Sequence, residues 1–176
     1  MIVDFLWLFI LGFPLALALL IPFGGAARRL AVQLSSFAAV PALIMAIVSD
    51  SDELVSFDWL LLGSWIGLNP VSQLFLLLTA LLWTVAGIYA RAYHADDPER
   101  HRFGFFFLLT MTGNLGLIVA ADIVTFYTGF AVMTFSAYGL VVHNRTPKAF
   151  RAGKVYIVMS VIGEGFLLAG MILAAY

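Results

Sequence analysis

The feature that most constrains this chain is a succession of apolar runs about twenty residues long. Each has the length an α-helix needs to cross a hydrocarbon layer about 30 Å thick. Six such runs are read at about 2–22, 30–48, 70–90, 103–121, 123–143 and 154–175. Lipid offers no hydrogen-bond partners, so a segment at that depth must satisfy its own backbone groups, and helices are predicted for all six. Only Asp122 separates the fourth run from the fifth, and it is read as the cap or first-turn acid of the fifth helix. The expected fold class is an all-α integral membrane protein of about six transmembrane helices, with residues 1–176 forming a single membrane domain.

Composition excludes several classes of function. The chain is 63% hydrophobic and 11% charged, against roughly 45–50% apolar for an ordinary soluble domain. A formal net charge of -1 leaves no basic excess with which to neutralise a phosphate backbone, so no nucleic-acid partner is expected. The absence of cysteine rules out disulfides, thiol nucleophiles and cysteine-ligated metal within this sequence. The three histidines, His94, His101 and His143, lie beside charged residues near the ends of apolar runs. No phosphate loop, Ser/His/Asp constellation or cluster of metal ligands is read along the chain. The expectation is therefore no cofactor, no metal and no catalytic site of the chain's own.

Positive charge sets the expected orientation, because cytoplasmic loops collect Lys and Arg. All nine basic residues fall in alternate connections: Arg28 and Arg29; Arg91, Arg100 and Arg102; Arg145, Lys148, Arg151 and Lys154. The second connection, Ser49 to Asn69, carries Asp50, Asp52, Glu53 and Asp58 and no base. Both termini are thus expected on the non-cytoplasmic side of the cell (cytoplasmic) membrane. The Ala16-x-Ala18 pattern suggests a signal-peptide site, but no base precedes it, so an uncleaved first helix is read. In the second connection Gly63 and Gly67 break an apolar stretch, which suits a short hairpin or interfacial segment with Trp59 and Trp65 at headgroup level.

A charged group at the bilayer centre costs at least about 2.5–3.5 kcal/mol on insertion scales, so an ionisable residue within a span is a functional candidate by default. Glu164 is the foremost case: ten residues after Lys154, it lies roughly 15 Å along the sixth helix, near the midplane. A carboxyl there can take up and release a proton, or it can fix helix packing. Lys154 is read as opening the sixth helix, where it serves as a topology signal or a relay. Asn114, Asp122 and Tyr127 complete the candidates for a proton or ion pathway. Asp4, near the end of the first span, is expected to be solvated. Hydroxylated and small residues in the fourth and fifth spans also suit close helix packing.

The order of these motifs resembles a known family. Asn69-Pro70-Val71-Ser72-Gln73-Leu74-Phe75, then Ala121-Asp122-Ile123-Val124-Thr125-Phe126-Tyr127, then Arg151-Ala152-Gly153-Lys154-Val155-Tyr156 and Gly163-Glu164 look like the proton-translocating antiporter-like subunits. These are the large membrane subunits of respiratory complex I, Mrp-type cation/proton antiporters and membrane-bound hydrogenases. The likeness covers the first six helices of that family, whose members carry further helices in inverted repeats and use a Glu on the fifth helix and a Lys on the broken seventh. Where the family reads Phe-Tyr-x-x-Trp-Glu, this sequence has Phe126-Tyr127-Thr128-Gly129-Phe130-Ala131, so Ala131 stands at the position of the acid. Ala131 lies about 13 Å inward from Asp122 and Glu164 about 15 Å inward from Lys154, which places a carboxyl at nearly the same depth on the next helix.

The resemblance implies a split or shortened antiporter-like subunit of a proton- or cation-translocating complex resembling an NADH:quinone oxidoreductase, Mrp antiporter or hydrogenase. Its partners would be the lipid bilayer and other membrane subunits, among them a chain supplying the missing helices. The alternatives are a non-conducting membrane scaffold or assembly subunit of such a complex, or a truncated remnant.

Overall fold

The computed structural model describes residues 2–49, 53–57 and 63–175. Asp50, Asp52, Asp58, Trp59 and the side chain of Asp4 lie outside the described set. In chain order the elements are α1 (Ile2–Leu20), α2 (Gly25–Leu34), α3 (Val40–Val48), the strands β1 (Glu53–Phe57) and β2 (Ser64–Leu68), α4 (Pro70–Tyr93), α5 (Arg100–Val119), α6 (Ile123–Val141) and α7 (Pro147–Ala175). Among the described residues, five helical stretches are long and apolar enough to span a membrane, and Phe9–Phe23 is a shorter apolar one.

The expected second span is interrupted. A 3-10 turn at Ser35–Phe37 separates α2 from α3. Pro41 is the cause: it lacks the N–H that a continuous helix would bond, and its ring opposes the carbonyl one turn earlier, so it is accommodated in the first turn of a new helix. The break is used for packing. Ser36 Oγ donates to the Gly87 carbonyl at 3.0 Å, and a Cβ on Gly87 would come within 2.9 Å of Ser36 Cα. Only a glycine allows α4 so close to the turn.

The expected start of the last helix also moves. α7 begins at Pro147, whose missing N–H is harmless at the first helical position. Thr146 Oγ1 accepts from the Ala149 N–H at 3.1 Å and caps the first turn. Lys154 consequently lies about two turns inside the helix rather than opening it, with an exposed side chain.

α5 is the centre of the bundle. Leu108, Met111, Leu115 and Val119, spaced three or four apart on one face, are fully buried, as are Trp7 and Pro14 on α1, with Ile10 nearly so. α6 packs most extensively against α5. Gly113 and Gly129 permit this: a Cβ on Gly113 would lie 2.3 Å from Met133 N, and one on Gly129 would lie 2.7 Å from Leu117 N. α4 buries only the stripe Leu76, Ala80 and Gly87, while Leu78, Leu82, Val85 and Ile88 face outward. Among the described residues α7 packs extensively only against α6.

The strands form the hairpin that the paired glycines suggested. They pair antiparallel from Glu53 opposite Leu68 to Phe57 opposite Ser64, with Gly63 at φ 97° in the connection. Phe57, Ile66 and Leu68 turn inward, and Trp65 is exposed. The hairpin covers one end of the bundle through an isolated bridge from Ile66 to Ala120. The basic residues gather at the opposite end, around the α4–α5 and α6–α7 turns and the start of α2.

Candidate functional site

Glu164 occupies an unusual position. α7 is exposed along nearly its whole length, yet Glu164 is only 5% exposed, and its Oε1 has no hydrogen-bond partner among the described residues. A buried carboxyl with an unengaged oxygen is costly unless the group is neutral or finds a partner from outside the chain. Lys154 provides none, being exposed and ten residues away on the same helix.

Two contacts fix the register of α7 against α6. Tyr156 Oη donates to the Thr134 carbonyl at 3.2 Å, and Gly153 sits against Val142 and Tyr138, where a Cβ would meet Val142 Cγ1 at 2.4 Å. Because the helices run antiparallel, each step along α7 is a step back along α6. Continuing that register from the two contacts sets Glu164 against the stretch 126–131 of α6. Ala131 and Tyr127 both lie in that stretch.

Asn114 and Asp122 are engaged in the scaffold. Asn114 Oδ1 accepts from Trp83 Nε1 at 2.8 Å, and its Nδ2 faces Met133 Sδ at 3.3 Å, tying α4, α5 and α6 together. Asp122 caps α6: its Oδ1 accepts from the Thr125 N–H at 2.8 Å, and its Oδ2 accepts from Thr125 Oγ1 at 2.5 Å and from the Trp65 N–H at 2.8 Å. Burial pushes the Asp122 carboxyl upward, but these donors outweigh it and hold the group below its usual value. Asp122 therefore remains charged while anchoring the hairpin to the α6 N-terminus. Tyr127 is half-buried on α6.

The fold assembles one cluster that the sequence reading did not contain. His94, at the end of α4, Asp97, in the following turn, and His143, just past α6, converge at the basic end of the bundle. Asp97 Oδ2 accepts from His143 Nε2 at 2.7 Å and from His94 Nδ1 at 2.9 Å, and Oδ1 accepts from the Glu99 N–H at 2.8 Å. The His143 bond, with that backbone N–H, lowers the Asp97 carboxyl to about 2. Arg102 donates through Nη2 to the His143 carbonyl oxygen. The cluster thus latches the α4–α5 turn to the end of α6. The three donor atoms lie within 4.8 Å of one another, a set that imidazole-binding divalent metals accept, but the Arg102 guanidinium beside it disfavours a further cation. The reading of no clustered ligands is corrected: only the His94/Asp97 pair at i, i+3 was visible in the sequence, and His143 lies 46 positions further along.

No family model matches the chain. It is 29% identical to NADH-quinone oxidoreductase subunit L of Mycobacterium tuberculosis over 97% of this chain and 30% of that one. It is 28% identical to NADH-quinone oxidoreductase subunit N of Thioalkalivibrio sulfidiphilus over 93% of this chain and 34% of that one. It is also 29% identical to a subunit of a probable K(+)/H(+) antiporter from Rhizobium meliloti over 62% of this chain and 21% of that one. The chain spans about a third of the length of the first two relatives. Among solved structures, the fold is similar to a chain of the membrane-bound sulfane sulfur reductase, an archaeal respiratory membrane complex, with a TM-score of 0.71, 23% identity and coverage of 93% of this chain and 35% of that one. This multi-pass membrane chain is related to the antiporter-like membrane subunits of NADH-quinone oxidoreductases and cation/proton antiporters.

Proposed function

We propose that the chain is an antiporter-like subunit of a proton- or cation-translocating complex in the cytoplasmic membrane, and that Glu164 takes up and releases the proton it handles. The observation that carries this reading is the buried, unpartnered Glu164 carboxyl on a helix otherwise open to its surroundings. Tyr127, in the stretch of α6 opposite it, is a hydroxyl relay in this reading, and exposed Lys154 is a terminal donor. Asp122 and Asn114 hold the scaffold. Other membrane subunits cover α7, and the helices that the relatives carry beyond this region come from further sequence on the same or another chain. With the basic end facing the cytoplasm, both ends of the chain face away from it. A single cysteine at the exposed Lys148 should then be labelled only from the cytoplasmic side; labelling only from outside would reverse the orientation.

Glu164→Gln keeps shape and removes the titratable group. In the assembled complex it should lower proton transport by about a hundredfold or more, the scale of losing a proton-transfer residue, with assembly unchanged. Transport equal to wild type would sink the reading. It would favour a second reading, a non-conducting scaffold, which Ala131 at the family's acid position supports.

A further inference from the structure

At the basic end, a cavity of about 790 Å³ opens between α2, the end of α4 and the start of α5. Four arginines line it, Arg28, Arg29, Arg91 and Arg100, together with His94 and His101, and no acidic residue does. Among the described residues no carboxylate pairs with any of the four guanidinium groups. Arg28 Nε donates to the Ile21 carbonyl at 3.1 Å and Arg100 Nη1 to the Ala95 carbonyl at 3.4 Å, which leaves their remaining donors available. In the α4–α5 turn Asp97 holds His94, and Glu99 lies 3.9 Å from His101.

Aromatic rings line the inner wall. The His94 ring stacks on Phe103 at 4.0 Å, and Phe103 stacks on Phe107 at 5.6 Å. Val32, Gly87 and Ala90 add apolar surface, and Gln33 and Ser35 also line the cavity. From Arg100 to Phe107 the cavity descends about 10 Å along the helix axis, from the bundle end to hydrocarbon depth. Tyr89 and Tyr93 stack at 5.7 Å on the outside of α4 at the same end, and both are exposed, as interfacial tyrosines are at headgroup level.

We propose that this cavity binds one anionic phospholipid, its phosphate among the four arginines and an acyl chain along Val32, Phe103 and Phe107. Charge complementarity selects the headgroup: guanidinium donors match phosphate oxygens, and basic pockets between membrane helices hold anionic headgroups. The apolar depth selects a lipid over a free anion, which would leave the inner wall uncovered, and over an acidic protein segment, which would bring polar backbone to that depth. The site is independent of Glu164, which lies on α7 away from the cavity lining.

The test uses the full chain in neutral detergent, offered equal amounts of phosphatidylglycerol and phosphatidylcholine, with bound lipid counted by native mass spectrometry. One phosphatidylglycerol should be retained about tenfold more strongly than phosphatidylcholine. Arg29→Gln with Arg91→Gln, both at exposed positions, should cut retention by about fivefold for each arginine removed. Lys148→Gln with Arg151→Gln, exposed at the same end but outside the lining, should leave it unchanged. Should the cavity pair not fold, Arg91→Gln alone carries the comparison with a fivefold loss. Equal retention of the two lipids would overturn the site. So would equal losses from both pairs, which would mean a diffuse field, or full displacement by millimolar inorganic phosphate, which would mean a free-anion site.

Discussion

α5 and α7 are both long apolar helices of one chain, yet 50% of the apolar window of α5 is buried within the bundle and only 6% of that of α7. Their glycines show what separates them. A Cβ on Gly113 would strike Met133 N at 2.3 Å and the Gly129 carbonyl oxygen at 2.7 Å, whereas around Gly163, Gly165 and Gly170 nothing lies within 4 Å. Helices in lipid associate through close van der Waals contact, because apolar surface gains nothing by leaving an apolar solvent. In α5 and α6 the small residues are filled by the neighbouring backbone. In α7 Gly153 is likewise filled by Val142 and Tyr138, but Gly163, Gly165 and Gly170 lie on open faces around the buried Glu164, and that part of the helix is left uncovered by the described residues.

The largest expected effect comes from filling a closed contact. Gly113→Ala should force α5 from α6 backbone to backbone, destabilising the bundle by about 3 kcal/mol or more, beyond the usual range for overpacking. The drop should be read as a lowered melting temperature of the purified chain in detergent. A melting curve like wild type would mean that the two helices are not held at this distance.

An intermediate effect is expected from the latch that ties the α4–α5 turn to α6. Because the folded Asp97 carboxyl is depressed from 3.8 to about 2, the unfolded chain binds more protons across that interval. The contribution to stability is therefore complete above about pH 4 and is lost as pH falls through about 2. Asp97→Asn should remove this dependence and lower stability near pH 7, since buried His143 loses its charged acceptor. Parallel acid melts of the two proteins check this, and identical acid limbs would dissociate the latch from stability.

The smallest effect belongs to α7. Gly163→Ala meets nothing in the chain and removes a flexible residue from a helix interior, so it should be neutral or stabilising by up to about 1 kcal/mol. If it destabilised the isolated chain as much as Gly113→Ala, α7 would have to be packed rather than open, and the contrast between the two helices would collapse.

Much of this arrangement was legible in the sequence for direct physical reasons. The spans show in run length and hydropathy, Asp122 shows as a cap because a lone acid interrupts an apolar run, and Gly63 with Gly67 marks the hairpin. Lys154 did not show as an interior residue, because Pro147 and Thr146 start the helix in a stretch too polar to be counted as span. The break at Ser35–Phe37 was hidden in an unbroken apolar run, where Pro41 was the available signal. The partners of Asn114 were invisible, since Trp83 and Met133 lie on other helices.

The sequence by itself determined that the chain must cross a membrane, roughly where it crosses, on which connections its positive charge collects, and that Glu164 falls within a span. Those properties follow from composition along a line, summed over about twenty residues at a time. Tertiary structure alone decided which small residues are in contact, that Glu164 is buried on a largely exposed helix, and that His94, Asp97 and His143 meet. It also decided that four arginines from three elements surround one cavity with no acid among them. Each of these depends on the register and crossing of helices far apart in sequence, which hydropathy leaves free and only the fit of side chains and backbone resolves.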